Sequence, residues 1–244
     1  MKIHSIVRYK IAQLSHFLIF LVFSFMGCAV ANQKYSPTKK YSPEQLKEDF
    51  NVVWKTYQRN HPSLYWYNPK DTVDHYFNML YGNLTDSLTE LEFRNKLAIA
   101  VEKIKCGHTS VRLSRAFAKY SVKQKNEIAF PLSMKTWGGD SLIITKNAFR
   151  KDSQLVRGTI IKSINGKLVK NIIGEMAAMI STDGFNNNFK YQLISNNFPT
   201  YYHLTFGLSS YYEIEYVSPD GNTKTKQVFE TVRVVQGRSE ERRV

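Results

Sequence analysis

Cys106-Gly107-His108-Thr109-Ser110 puts a thiol, an imidazole and two hydroxyls into one short stretch of this 244-residue chain. Histidine suits general-base work because its pKa lies near the working pH. A hydrolase built on it also needs a nucleophile within hydrogen-bond reach and donors for the developing oxyanion. Ser110 follows His108 at i+2, which on a strand shares a face but does not make a triad. No Gly-x-Ser-x-Gly turn occurs in the chain, and Ser209-Ser210 reads as the start of a strand. Cys106 and His108 are a conceivable thiol–imidazole dyad. A Cys at the end of an apolar helix face also reads as plain packing. Read by its place alone, His108 stabilises the C-terminus of the preceding helix.

Spacing gives no metal centre. His4 and His16 fall in the N-terminal segment, and His61, His75, His108 and His203 are far apart, without His-x3-His or Cys-x2-Cys patterns. There is no Gly-rich phosphate loop either, so neither metal nor cofactor is expected. The aromatic group Tyr65, Trp66 and Tyr67, with Trp54 and Tyr57, is able to line a ligand groove. Burial habits favour a core role for it.

The charge balance is 34 Lys and Arg against 20 Asp and Glu, or +14. The positives are scattered singly, as at Lys47, Lys55, Lys70, Lys96, Lys119, Lys135, Lys151 and Lys190. Such scatter describes a solvated surface, and no nucleic-acid partner is expected. Only Cys28 and Cys106 are present, which excludes a disulfide-stapled miniprotein and a multi-cysteine zinc domain. With 15 Tyr and 15 Phe the chain has the material for a core and is not a disordered polymer.

The N-terminus reads as an address. Lys2, Arg8 and Lys10 precede an apolar run of about 15 residues from Phe17 to Ala31, shorter than the roughly 20 that span a bilayer. Two processing sites compete. Ala29-Val30-Ala31 is an A-x-A cleavage pattern. Phe25-Met26-Gly27-Cys28 resembles a lipobox, with Cys28 as the lipidated residue. Residues 1–31 are therefore expected to be a signal peptide of either type, and 32–42 a polar tether. The mature protein is expected in the periplasm, on the outer membrane as a lipoprotein, or elsewhere in the cell envelope.

The elements that must carry the chemistry follow from pattern. Ser42-Pro43-Glu44-Gln45 is a capping box with Pro at the first helical position, and Leu46, Phe50, Val53, Trp54 and Tyr57 follow at helical spacing until His61-Pro62. A second helix is expected from about Asp71 to Leu84. Thr89-Glu90-Leu91-Glu92 caps a third, with Phe93, Leu97, Val101 and Ile104 on one face. After Gly107 the period changes. Ser110–Ser114, Ile128–Trp137 and Ser141–Thr145 alternate, and Gly138-Gly139-Asp140 joins the last two. A β-prone run, 158–164, leads through the Asn165-Gly166 turn to Lys167-Leu168-Val169. Helices are expected from Asn171 to about Ile180 and from Asn186 to Asn196. Tyr211–Val217 and Thr225–Val232 form a hairpin around Ser218-Pro219-Asp220-Gly221. The class is α+β: a three-helix segment followed by a β-rich part.

The string Phe93, Leu97, Val101, Ile104, Cys106-Gly107-His108-Thr109, Val111 resembles the end of the helical segment of tail-specific proteases, the C-terminal processing peptidases, closest to their tricorn-like branch. There the helix closes with Asp-Gly-His-Thr. His61-Pro62-Ser63-Leu64-Tyr65 is similar to a His-Pro-x-Leu-Tyr segment of such secreted bacterial proteins. The run 158–166 resembles the hairpin of their PDZ-like domain. Cys106 and Thr159 stand where the family has Asp. The likeness covers roughly residues 43–175.

This resemblance implies a helical domain at 43–108, a PDZ-like domain at 109–232 and a tail at 233–244. It implies His108 in the position of the general base, and a peptide end held by backbone amides at Gly158, Thr159 and Ile160 through strand addition. In the family the nucleophilic serine belongs to a later α/β domain. The expectation is thus the front portion of an exported serine peptidase, docking protein or peptide substrates and inactive alone. A second reading is a non-enzymatic envelope lipoprotein that binds peptides or proteins, held at the membrane through its N-terminal lipid or an uncleaved signal.

Overall fold

In the computed structural model the capping box at Ser42 forms as the sequence requires. The Ser42 hydroxyl accepts the Gln45 N–H, and the Gln45 side chain accepts the Ser42 N–H. Helix α1 (Pro43–Asn60) follows, then α2 (Lys70–Gly82). Thr89 and Glu92 make the same reciprocal cap on α3 (Glu90–Glu102). Between the helices, β1 (Lys40–Tyr41) pairs with β2 (Leu88–Thr89). The structure describes residues 35–123 and 126–234; those after Tyr35 belong to one compact unit.

The apolar faces of α1–α3 meet in one cluster of Leu46, Phe50, Val73, Phe77, Leu97, Val101 and Ile104. Trp54 stacks on Phe77 with ring centroids 4.1 Å apart, and Tyr57 and Tyr65 also pack on this cluster. Trp66 and Tyr67 do not join them: Trp66 is 79% exposed. The expected aromatic group therefore splits into core and surface at Tyr65.

Ser110–Ser114 forms no strand. Ser114 instead starts α4 (Arg115–Lys123), its hydroxyl accepting the Phe117 N–H while its own N–H donates to the Glu90 carboxylate. The alternating run that follows is broken at Phe130-Pro131, where proline has no N–H to give a ladder. It becomes β3 (Asn126–Ala129) and β4 (Leu132–Trp137). Chain order continues with β5 (Ser141–Asn147), β6 (Ile160–Ile164), β7 (Lys167–Leu168), α5 (Val169–Ala177), α6 (Asn188–Asn196), α7 (Phe198–Phe206), β8 (Tyr211–Val217), β9 (Thr223–Phe229) and β10 (Thr231–Val234). The sequence does not announce α7, whose residues are aromatic and β-prone; burial of Phe198 and Tyr202 against the sheet decides it. The last expected strand divides at Glu230, and β10 turns away to pair with β3.

The main sheet runs β4-β5-β6-β8-β9, antiparallel throughout, with β7 hanging on β6. Tyr212, Ile214 and Tyr216 alternate into the core while Tyr211, Glu213 and Glu215 face away, so one side of the sheet is covered and the other is solvated. The cover is α5–α7, contributing Ile172, Ile173, Met176, Ile194, Phe198 and Tyr202. No helix among the described residues is long and apolar enough to cross a membrane.

The helical part is tied to the sheet part by a buried charge cluster. Glu102, at the end of α3, is 2% exposed. Its carboxylate receives the ammonium of Lys190 from α6 at 2.6 Å, itself 4% exposed, and those of Lys103 at 3.0 Å and Lys105. Burial alone would raise the Glu102 pKa, but the three lysines outweigh it and hold the group below its ordinary value. Glu102→Ala is expected to lose about 3–5 kcal/mol, because it leaves the Lys190 charge buried without an anion. Glu102→Met combined with Lys190→Met is expected to recover most of that loss. Urea denaturation of the three proteins checks both statements.

Candidate functional site

The chain leaves α3 through a strained turn. Lys105 has φ +60°, a conformation usually given to glycine. Its ammonium on Glu102 and its carbonyl, which accepts the Gly184 N–H at 2.9 Å, hold it there. The segment 103–111 is fastened from several sides. The Asn68 amide donates to the Lys103 carbonyl at 2.7 Å, and Arg94 Nε donates to the Val111 carbonyl at 3.0 Å. Gly107 N–H donates to Asp183 Oδ1 at 2.8 Å, and a Cβ on Gly107 would stand 3.2 Å from Asp183 Oδ2. A side chain at Gly107 would therefore press on Asp183 and require it to give by a few tenths of an ångström.

His61 completes the fastening. Its Nδ1 accepts the Ser63 N–H at 3.3 Å, so the ring proton sits on Nε2 and is donated to Thr109 Oγ1 at 2.7 Å. Two segments singled out in the sequence, His61-Pro62 and Cys106–Thr109, thus touch. The bonds employ Gly107 and Thr109 and, among the described residues, none engages the His108 ring. His108 is exposed on a cavity of about 350 Å³ with Gly107, Thr182, Asp183, Asn186 and Phe189. Phe189, 49% exposed, lines it as apolar surface.

Cys106 remains a free thiol, half-buried, and packs against the helical core. Its Sγ, a ring nitrogen of His108 and a carboxylate oxygen of Asp183 all lie within 4.8 Å of one another. Asp183 was not singled out from the sequence. It lies 76 residues beyond Gly107, and no local pattern signals a contact made only by folding. No serine hydroxyl among the described residues is bonded to His108.

The amides expected to hold a peptide carboxylate are already engaged. Gly158 N–H donates to the Ile144 carbonyl at 2.9 Å and Thr159 N–H to the Val156 carbonyl at 3.1 Å. Ile160 lies on β6, an interior strand, opposite Ile143 on one side and Val217 on the other. Strand addition needs a free edge, and here Gly158, Thr159 and Ile160 are paired within the fold. The sheet's edges are β4 and β9. Along β4 the Thr136 N–H donates to Ser195 Oγ of α6 at 3.0 Å. Toward the start of β4 a cavity of about 470 Å³ opens between this strand and the α6–α7 junction. Phe130, Ser133, Asn197 and Pro199 line it together with the cations Lys146 and Arg150. The Asn197 side chain makes no capping bond to α7, whose N-terminus adds to the positive potential there. Cys28 and the Ala29-Val30-Ala31 site lie outside the described residues.

Burial holds the His61 pKa below its ordinary value of 6.5. A lowered histidine contributes stability that is present above the unfolded value and is lost as pH falls from there through the folded value. The urea midpoint of the wild type is therefore expected to drop on acidification from about pH 7 to about pH 5. His61→Gln is expected to start lower and to show a shallower drop over that interval.

No family model matches the chain, and no curated protein matches it. Among solved structures it is similar to CPAF, the Chlamydia protease-like activity factor, a serine protease of the tail-specific, tricorn-like fold. A crystal structure of a serine-to-alanine mutant of CPAF aligns with TM-score 0.53 at 9% identity, over 78% of this chain and 34% of CPAF. Mature CPAF aligns at 0.52 with 10% identity, and its complex with lactacystin at 0.51 with 9% identity, each over 78% of this chain and 35% of CPAF. The chain spans about a third of the length of the CPAF structures it matches, and at such identity the likeness is one of fold.

Proposed function

We propose that this chain is the base-bearing, substrate-docking portion of an exported tail-specific serine peptidase. The observation that carries the reading is the state of His108. Its loop is immobilised through both neighbours, while the ring itself stands exposed on a cavity beside apolar surface. That arrangement suits an imidazole that takes a proton from a serine hydroxyl brought to it from outside the described residues. The fold shared with a serine protease supports the same reading.

Substrate docking in this proposal uses the cavity at the start of β4. A peptide C-terminus carries a carboxylate, which Lys146, Arg150 and the start of α7 favour electrostatically, and Phe130 and Pro199 offer apolar contact to its last side chain. Export follows from the N-terminal segment, with Cys28 lipidated or the chain cleaved after Ala31.

Two measurements test this. The purified chain is expected to leave an unfolded protein substrate intact, since His108 has no serine partner among the described residues. Cleavage that disappears in His108→Ala would overturn that part. An apolar peptide with a free C-terminal carboxylate is expected to bind, and Arg150→Glu or amidation of the peptide to weaken binding at least about tenfold. Equal affinity for acid and amide removes the docking proposal.

A further inference from the structure

We infer that Cys106, His108 and Asp183 form a binding site for a divalent transition-metal ion of the zinc class. The three side chains supply a thiolate, an imidazole nitrogen and a carboxylate oxygen, a donor set characteristic of zinc. Their ligand atoms already lie within 4.8 Å of one another. Around a tetrahedral zinc with bonds of about 2.0–2.3 Å, donor atoms stand roughly 3.3–3.8 Å apart. His108 and Asp183 are exposed, and small side-chain rotations close the remaining difference.

The surroundings are those of a held site. Asp183 Oδ1 accepts the Gly107 N–H, which orients the carboxylate while its second oxygen remains for the ion. The two loops that carry the ligands are joined again by the Gly184 N–H on the Lys105 carbonyl.

Binding places the ion between the end of the helical part and the loop after α5, so it staples the two parts together. The Cys106 thiol gives its proton to solvent as the thiolate–metal bond forms, one proton per ion. The inference stands apart from the peptidase reading, but it bears on it: an ion on His108 takes up the lone pair that a general base needs.

The test uses the purified chain in a Cys28→Ser background, with a non-chelating reductant, titrated with Co²⁺ and then Zn²⁺. Cobalt is expected to bind one per chain, with the intense visible bands of a tetrahedral site and a thiolate-to-cobalt charge-transfer band. Zinc is expected to bleach both and to raise the melting temperature. Cys106→Ser is expected to abolish the charge-transfer band. Asp183→Asn keeps an oxygen to accept the Gly107 N–H and is expected to weaken binding by more than the roughly 10–100-fold typical of losing a supporting hydrogen bond. Metal-free melting curves establish that each variant is folded; if Asp183→Asn is not, the Cys106→Ser spectrum decides alone. A spectrum that stays that of hydrated cobalt, an affinity weaker than about 100 μM, or a charge-transfer band unchanged in Cys106→Ser would overturn the inference. None of these readouts depends on peptide hydrolysis.

Discussion

The Glu102 carboxylate is the constraint on which the rest of the molecule turns. An ion pair this deep is not there for stability in the simple sense, because desolvating two charges costs about as much as their attraction returns. What it provides is register. An apolar contact between α3 and α6 would tolerate sliding, whereas a buried carboxylate that must meet Lys190 tolerates almost none. The same carboxylate holds the Lys105 ammonium and thereby offsets the left-handed turn at that residue, a conformation that costs about 1–2 kcal/mol for a side chain with a Cβ. One group therefore fixes both how the helices sit on the sheet and the direction in which the chain leaves them. Asn95 of α3, donating to the Leu204 carbonyl of α7 at 2.6 Å, repeats the fastening at another point.

The Cys106–Thr109 loop inherits that precision. It lies between two anchored elements, and two of its polar groups, the Gly107 N–H and the Thr109 hydroxyl, are bonded to Asp183 and His61. A side chain on such a loop pays little conformational entropy on meeting a ligand, which is what preorganisation means for a catalytic or metal-binding group. The exposed imidazole and the Cys106 thiol are the side-chain groups of this loop whose bonding capacity is left over. A proton from a serine and a metal ion are competing uses of the imidazole's capacity, and the loop's geometry serves either.

Much of the helical part was legible because its signals are local. Ser42 with Gln45 and Thr89 with Glu92 specify helix starts within four residues, and Leu46, Phe50, Leu97 and Val101 specify the buried faces by spacing alone. The Asn165-Gly166 turn was legible for the same reason, with both residues at positive φ. What failed was whatever depends on distant partners. Ser110–Ser114 alternates like a strand but finds no neighbouring strand, and the Glu90 carboxylate draws Ser114 into a helix cap instead. The residues of α7 prefer strands, and packing on the sheet overrides them.

The site divides along the same line. His108 and Cys106 could be singled out because they belong to a short string, Cys106-Gly107-His108-Thr109, that resembles a family motif, whereas Asp183 and Thr182 reach that place only through tertiary structure. The amides at Gly158 and Thr159 show what a local motif leaves open. A hairpin motif can be recognised by its turn without revealing whether the strand before it is an edge or an interior member of the sheet. Strand β6 has β5 on one side and β8 on the other at Ile160 and Ile161, so it is an interior strand there and offers no free edge. Any peptide this sheet accepts must come to an edge. Strand β9 presents Lys224 and Lys226, and lysines along an edge discourage pairing. Along β4, in contrast, Ser195 satisfies the Thr136 amide and leaves the opening toward Phe130 bordered by Lys146 and Arg150. The lysines of β9 are ion-paired with Asp220 and Asp152, so in the proposed docking it is the β4 side that would offer cations to a chain terminus.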